Sequence, residues 1–186
     1  LDGKRVFYAG DGSGNIVCIN ARTGEQVWRY PWSFGGINSS VVLHKGMVVA
    51  VHGKENLDSS DHGGMIMLDP NGKIVAGPKG GKVLDQSAVK WVVRHKDGEP
   101  DIIAFTSSPV LVGDTAYVTV ATGELVAVDM NSGKRVWHKK LATDQIHASP
   151  LYSDGKLFVP MNPGDFYIMK PGVEGVEELA KIKLEG

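Results

Sequence analysis

The stretch Ala21-Arg22-Thr23-Gly24-Glu25-Gln26-Val27-Trp28 returns later in the chain as Met130-Asn131-Ser132-Gly133-Lys134-Arg135-Val136-Trp137. A short alternating strand lies in front of each copy and another behind it. Recurrence of a whole strand–turn–strand unit within one polypeptide means that the fold is built by repetition.

Working outward, the unit extends upstream of its glycine turn. Ser108-Pro109-Val110-Leu111-Val112-Gly113-Asp114 leads into Thr115 to Val120 and then Gly123 to Asp129; Ser149-Pro150-Leu151-Tyr152-Ser153-Asp154-Gly155 leads into Lys156 to Val159 and then Asp165 to Met169. A third copy runs from Ser40 through Met47 to Val51 and Gly64 to Asp69, and Val6 to Ala9 with Asn15 to Asn20 fit the last two strands of the same unit. Each piece is short, rich in Val, Ile, Tyr and Phe, and bounded by Gly, Asp, Asn or Ser, which is the signature of strands and hairpins. The one segment open to a helical reading is Val173 to Leu184. A strand is preferred there, because the segment follows Pro171-Gly172 in the slot where Lys134 to Leu141 follows its own turn.

Gly24, Gly72, Gly133 and Gly172 mark successive turns. The interval from Gly133 to Gly172 is near the length of a four-stranded propeller blade, about 40 to 50 residues. The interval from Gly72 to Gly133 is longer and holds an insertion at about 77–106. Within it, Ser87 to His95, Lys96 to Glu99 and Asp101 to Ala104 read as another hairpin, either an extra ribbon or the relic of a further blade.

The pattern of Asp or Asn, a Thr/Ser/Asn-Gly-Lys/Glu turn and a Trp four residues after the Gly resembles the PQQ-like β-propeller repeat. The Ser-Pro-Val-x-x-x-Gly-x-x-Tyr-Val lead-in is similar too. Quinoprotein alcohol dehydrogenases, BamB-like outer-membrane assembly proteins and many exported bacterial proteins carry this repeat. The resemblance implies an all-β chain forming a single partial propeller over 1–186, with about four four-stranded antiparallel blades. It implies a periplasmic or otherwise exported location. In the family the Trp packs between blades, so Trp28 and Trp137 are expected to be buried at equivalent junctions. Ala76 after Gly72 and Val176 after Gly172 stand where Trp is expected, which predicts two looser junctions.

With 24 Gly in 186 residues and a hydrophobic fraction of 42%, the composition suits one turn-rich globular domain. Propellers usually close with four to eight blades. Here the chain reads as opening on a third strand and ending on a first, so an incomplete ring is expected. Its end blades would leave apolar faces uncovered for self-association or a protein partner. Twenty basic and 21 acidic residues, well mixed, leave a net charge of −1 and no basic stripe for nucleic acid. There is no long apolar run for direct membrane insertion and no signal-peptide pattern. Cys18 is the single cysteine, so no disulfide forms within the chain, and its place in a strand reads as core.

Several polar groups invite a functional reading. Asp11-Gly12-Ser13-Gly14-Asn15 has calcium-loop spacing but no distal bidentate Glu, and a tight hairpin turn uses the same residues. His52 to His62 is the most polar stretch; His52, Asp58, Asp61 and His62 are ligand types for zinc or a transition metal. No two of them share the spacing of a rigid element, so a solvated loop is preferred, though long loops on a β scaffold are where binding usually sits. His44, His95, His138 and His147 are scattered at strand ends and hairpins. There is no Gly-x-Ser-x-Gly elbow. The Asn38-Ser39-Ser40 sequon is a formal match only, because Asn38 borders a strand. Gly77 to Lys82 lacks the Gly-Lys-Ser/Thr ending and following helix of a phosphate loop.

No catalytic, cofactor-binding or metal-binding residue is therefore assigned, and no cofactor is expected. The reading is a non-catalytic scaffold for protein or ligand binding. Two alternatives stand beside it: a BamB-like assembly scaffold, and part of a quinoprotein alcohol dehydrogenase using PQQ and calcium. By resemblance the dehydrogenase needs an adjacent Cys pair, a Trp floor and a Glu, Asn and Asp set; Cys18 has no neighbouring Cys, and no residue maps onto those ligands.

Overall fold

The computed structural model describes residues 1, 3–96, 98–99, 101–143, 147–162 and 164–185, with Lys79 described by its backbone alone. The first three strands are β1 (Val6–Gly10), β2 (Asn15–Asn20) and β3 (Gln26–Pro31), joined as antiparallel neighbours. Next come β4 (Val42–His44), β5 (Met47–Glu55) and β6 (His62–Leu68), then the small hairpin β7 (Ile74–Ala76) and β8 (Lys82–Leu84), then β9 (Val89–Val93). The third sheet is β10 (Val110–Val112), β11 (Thr115–Thr119), β12 (Glu124–Asp129) and β13 (Arg135–Lys140). The fourth is β14 (Leu151–Ser153), β15 (Lys156–Pro160), β16 (Asp165–Pro171) and β17 (Val176–Lys183). Hydrogen bonding groups them as β1-β2-β3-β8-β7, β4-β5-β6-β9, β10-β11-β12-β13 and β14-β15-β16-β17.

The four sheets stack in chain order as propeller-like blades, and strand period explains how. Successive side chains of a strand face opposite ways. In β5, Val48 and Ala50 enter the core shared with the first sheet, whereas Val49 and Val51 enter the core shared with the third. In β12, Val126 and Val128 face back to the second sheet while Leu125 and Ala127 face forward to the fourth. Strands buried on both faces read as continuous apolar runs, which is why Met47 to Val51 and Leu125 to Val128 carry so little polar alternation. Cys18 lies in the first of these cores, fully buried and unpaired.

Every sheet has a bulge at the same place. The register slips between Cys18 and Ile19, Met67 and Leu68, Ala127 and Val128, and Ile168 and Met169. The residues paired just before the slip are Trp28, Trp91, Trp137 and Ala180. In the first three, the indole reaches across to the following blade: Trp28 Nε1 donates to Pro70 O (3.1 Å), Trp91 Nε1 to Met130 O (3.0 Å) and Trp137 Nε1 to Gly172 O (3.2 Å). Tyr8 and Tyr117 add tilted ring contacts to Trp28 and Trp137 at 5.7 and 5.6 Å.

These registers correct three sequence expectations. Ala76 and Val176 are not the counterparts of the repeat tryptophan; Trp91 and Ala180 are. The second junction keeps its Trp because the intervening segment separates the Gly72 turn from its outer strand. The 77–106 stretch accordingly divides: β9 is the outer strand of the second sheet, not half of an inserted hairpin, and Ile102 and Ala104 are buried without forming a strand. What is inserted between β6 and β9 includes the β7–β8 hairpin, which joins the first sheet through a parallel Arg29–Val83 pairing. The third correction concerns strand order. The chain enters on the counterpart of a second strand, and β17, a strand as expected, closes the fourth sheet as its outer strand. Trp28 is fully buried, whereas Trp137 sits at its equivalent junction only half-buried.

Candidate functional site

The conspicuous polar residues end up bonded to the fold itself. Asp11 closes the β1–β2 turn: its Oδ1 accepts from the backbone N–H groups of Ser13 and Asn15, both at 2.8 Å, and its Oδ2 from Asn15 Nδ2 at 2.9 Å. Asn15 Oδ1 then accepts from Arg29 Nη1 at 3.0 Å on β3. A carboxylate engaged by three donors in its own turn is serving the hairpin. Gly14, at φ +80°, is required by close approach, since a Cβ there would lie 2.0 Å from Ser33 O.

The His52–His62 loop does not converge its ligand types. His52 is buried at 1% exposure; its Nδ1 accepts from Lys54 N at 3.2 Å, so its Nε2 carries the proton and donates to Asn56 Oδ1 at 3.1 Å. Asn56, fully buried, donates through Nδ2 to Asp61 O (2.7 Å) and Gly63 O (3.1 Å). Trp32 stands edge-on to the imidazole at 4.2 Å between centroids. Burial pushes the His52 pKa down to about 4, against a smaller opposing effect of the Asn56 hydrogen bond. His52 and Asn56 thus form the clip that holds a long loop in one conformation. Asp58 turns away to Arg94 at 2.8 Å, and Asp61 and His62 are exposed.

The other histidines bridge neighbours. His44 Nε2 lies 3.1 Å from Asp114 Oδ1, with Lys45 Nζ on the same carboxylate oxygen at 2.7 Å, tying the second sheet to the third. His95 contacts Asp101, His138 Nδ1 meets Glu124 Oε1 at 3.0 Å, and Thr106 Oγ1 donates to His147 O at 2.9 Å. Among the described residues no group of three or more His, Cys, Asp or Glu side chains is placed to hold a metal ion. No helix among them is long and apolar enough to cross a membrane.

A feature that the sequence reading missed is a cleft of about 590 Å³ between β9 and the start of β13, lined by Arg94, Lys96, Glu99, Lys134 and Arg135 among others. At one side of it the Gly133 turn packs so closely on Trp91 that a Cβ at Gly133 would lie 2.7 Å from the ring. Arg135 is nine-tenths buried and holds Glu99 Oε2 through Nη1 at 2.7 Å, while its Nη2 donates to Arg94 O. Arg135 Nε and Arg94 Nη1 are both buried without a hydrogen-bond partner. Lys96 holds the other oxygen of Glu99, and with Arg135 it depresses the Glu99 pKa. No spacing rule links residues 94–99 to 134–135; only the pairing of β9 into the second sheet brings them together.

Comparison with known proteins agrees with this architecture. No curated protein sequence matches the chain. Among solved structures, a chain in the crystal structure of the mitotic checkpoint complex superposes with a TM-score of 0.67 at 13% identity, over 95% of this chain and 50% of that one. That likeness concerns fold alone, and the present chain spans half the length of the protein it matches. The family model described as outer membrane protein assembly factor BamB matches residues 1–165. On its indole-locked, four-stranded repeats and on that match, the chain belongs to the BamB-like family of PQQ-like propeller proteins.

Proposed function

We propose that the chain is a non-catalytic binding scaffold, part of an exported bacterial protein, that engages protein through its uncovered sheet faces. One observation carries this reading. The cross-strand rows Tyr8–Cys18–Trp28, Val49–Met67–Trp91 and Tyr117–Ala127–Trp137 occupy the same register, and each is covered by the following sheet. The fourth member of the series, Phe158–Ile168–Ala180, lies on the sheet face turned away from the third core. Beside it Leu151 is 61% and Ile182 43% exposed. The complementary face of the first sheet carries Phe7, 49% exposed, with Ala9, Val17 and Ile19. Exposed apolar side chains grouped on one sheet face favour association.

The family supports protein interaction in general, and its association with outer-membrane assembly supports export; a BamB-like assembly role is the narrower form of the same proposal. Sedimentation velocity over a micromolar concentration series tests it. Concentration-dependent association that disappears in the Leu151→Lys, Ile182→Lys double variant is expected. A wild-type chain that stays monomeric throughout, alone and mixed with envelope extract, would count against binding through these faces. The quinoprotein alternative is tested separately, by titrating PQQ in calcium-containing buffer while following Trp fluorescence and heat. Stoichiometric micromolar binding would favour the dehydrogenase, and neither heat nor quenching is expected.

A further inference from the structure

We propose that the cleft between β9 and β13 is a carboxylate-recognition site for an acidic segment of a partner protein, and that Glu99 is its resident, displaceable occupant. This site lies apart from the uncovered sheet faces and stands or falls independently of them.

Charge complementarity comes first. Arg94, Lys96, Lys134 and Arg135 line the cleft against Glu99 as the acid among its lining residues. Asp58 neutralises one terminal nitrogen of Arg94 from outside the cleft lining. The surrounding protein is nearly neutral, so this concentration of cations is local. The second argument is the state of the donors. A guanidinium offers five N–H donors in a planar fork suited to carboxylates. Arg135 spends Nη1 on Glu99 and Nη2 on a carbonyl, leaving Nε buried and unpaired; Arg94 likewise leaves Nη1 unpaired. Buried donors without partners are uncommon in folded proteins and are costly to leave so.

Glu99 shows how a carboxylate is received. Its two oxygens divide between the nine-tenths-buried Arg135 fork and the exposed ammonium of Lys96. It sits at the end of a short turn in which Glu99 N donates to Lys96 O, and its side chain is 32% exposed. It is therefore the member of the cluster that can leave. When it swings out, the Arg135 edge and Lys96 face the cleft, with Lys134 on the opposite lip. A series of Asp or Glu side chains, spaced along an extended peptide, would meet these cations in turn. A single small anion would meet only one or two, so a peptide is favoured over inorganic phosphate.

The test is a calorimetric and fluorescence-anisotropy titration of the full chain with capped hexaglutamate, with hexaglutamine and inorganic phosphate as controls. Salt-dependent binding of hexaglutamate alone is expected. Glu99→Ala should tighten it several-fold, a gain that misfolding cannot imitate. The Lys96→Glu, Lys134→Glu variant, altered only at exposed positions, should weaken it by about tenfold or more, as loss of paired charges at an interface does. Unchanged affinity in both variants overturns the proposal. So does phosphate binding as tightly as the peptide, or equal binding of hexaglutamine.

Discussion

Acidification between pH 6.5 and pH 4 should destabilise this domain through one imidazole. His52 is buried at 1% exposure, with both ring nitrogens engaged in the neutral form, Nδ1 accepting from Lys54 N and Nε2 donating to Asn56. Its folded pKa is lowered to about 4 from the ordinary 6.5, chiefly by burial. The unfolded chain therefore takes up a proton at pH values where the folded one refuses it. Stability tied to His52 is intact above pH 6.5 and falls as pH drops through the window down to about 4. At roughly 1.4 kcal/mol per pH unit, the loss is about 2 kcal/mol at pH 5 and about 3 kcal/mol at the bottom of the window. That is a substantial share of the roughly 5–15 kcal/mol that hold a typical domain.

Carboxylates do not confuse the assignment. Asp69 and Asp129 have lowered pKa values, through Lys90 and through Ser132 respectively. Their stabilisation is present above the ordinary carboxylate range and is lost only below about pH 4. Urea unfolding at half-unit steps from pH 7 to pH 4.5 is the assay, with the His52 ring protons followed by NMR. His52→Gln should cost about 1 kcal/mol at pH 7 and should remove most of the slope below pH 6.5. A wild-type stability that is flat over this window, or a His52 resonance titrating near pH 6.5, would refute the reasoning.

Three further outcomes follow from the same contacts. Trp28→Phe strands Pro70 O and opens space in a filled core, so a loss of about 2–3 kcal/mol is expected in urea unfolding, with about 1 kcal/mol for the half-buried Trp137→Phe; equal losses would mean the two junctions are not graded by burial. Gly24→Ala and Gly133→Ala impose similar backbone strain at φ +74° and +72°, but only the second drives a Cβ into Trp91, so thermal melts should show about 1 kcal/mol for the first and clearly more for the second. The Cys18 thiol, fully buried with its pKa pushed up to about 11 by burial, should resist a chromogenic disulfide reagent in the native protein and react once urea unfolds it; rapid native reaction would place it elsewhere than in the first core.

The legible part of the fold was whatever repeats locally. Strand, glycine turn and strand are set by neighbouring residues, so Asn15 to Trp28 and Gly123 to Trp137 declared their hairpins directly, and Val173 to Leu184 was placed as a strand by analogy with them. Counting forward from the turn failed where the chain leaves the unit and returns. Gly72 is followed not by its outer strand but by the β7–β8 hairpin, which pairs with a different sheet, and Trp91 lies far beyond the four-residue offset that identifies Trp28 and Trp137. A Trp within Ser87 to His95 was in plain view, and the signal that could have found it is the bulge position. In every sheet the outer strand gains one residue just before the cross-blade side chain, and Lys90 is that residue in β9.

The same displacement accounts for what the sequence concealed of the candidate site. His52 and Asn56 look like loop residues because nothing local tells that Trp32 and Gly64 will enclose them. Arg94 and Arg135 look like unrelated surface charges until β9 takes the outer place in the second sheet. Once it does, the Trp91 indole must reach Met130 O, which draws the Gly133 turn onto the ring and sets Lys134 and Arg135 opposite Arg94 and Lys96. The repeat's own locking device thus builds the cationic cleft. At the first junction the corresponding Trp28 bond goes to Pro70, and the segment beyond it folds back as β7 and β8 to cover the edge of β3. At the third, Trp137 reaches Gly172, where the turn is followed by Val173 and Glu174 rather than by a Lys-Arg pair. Among the described residues of the three indole-locked junctions, the second sets two arginines and two lysines against one glutamate, which is the charge arrangement that the proposed acidic segment would read.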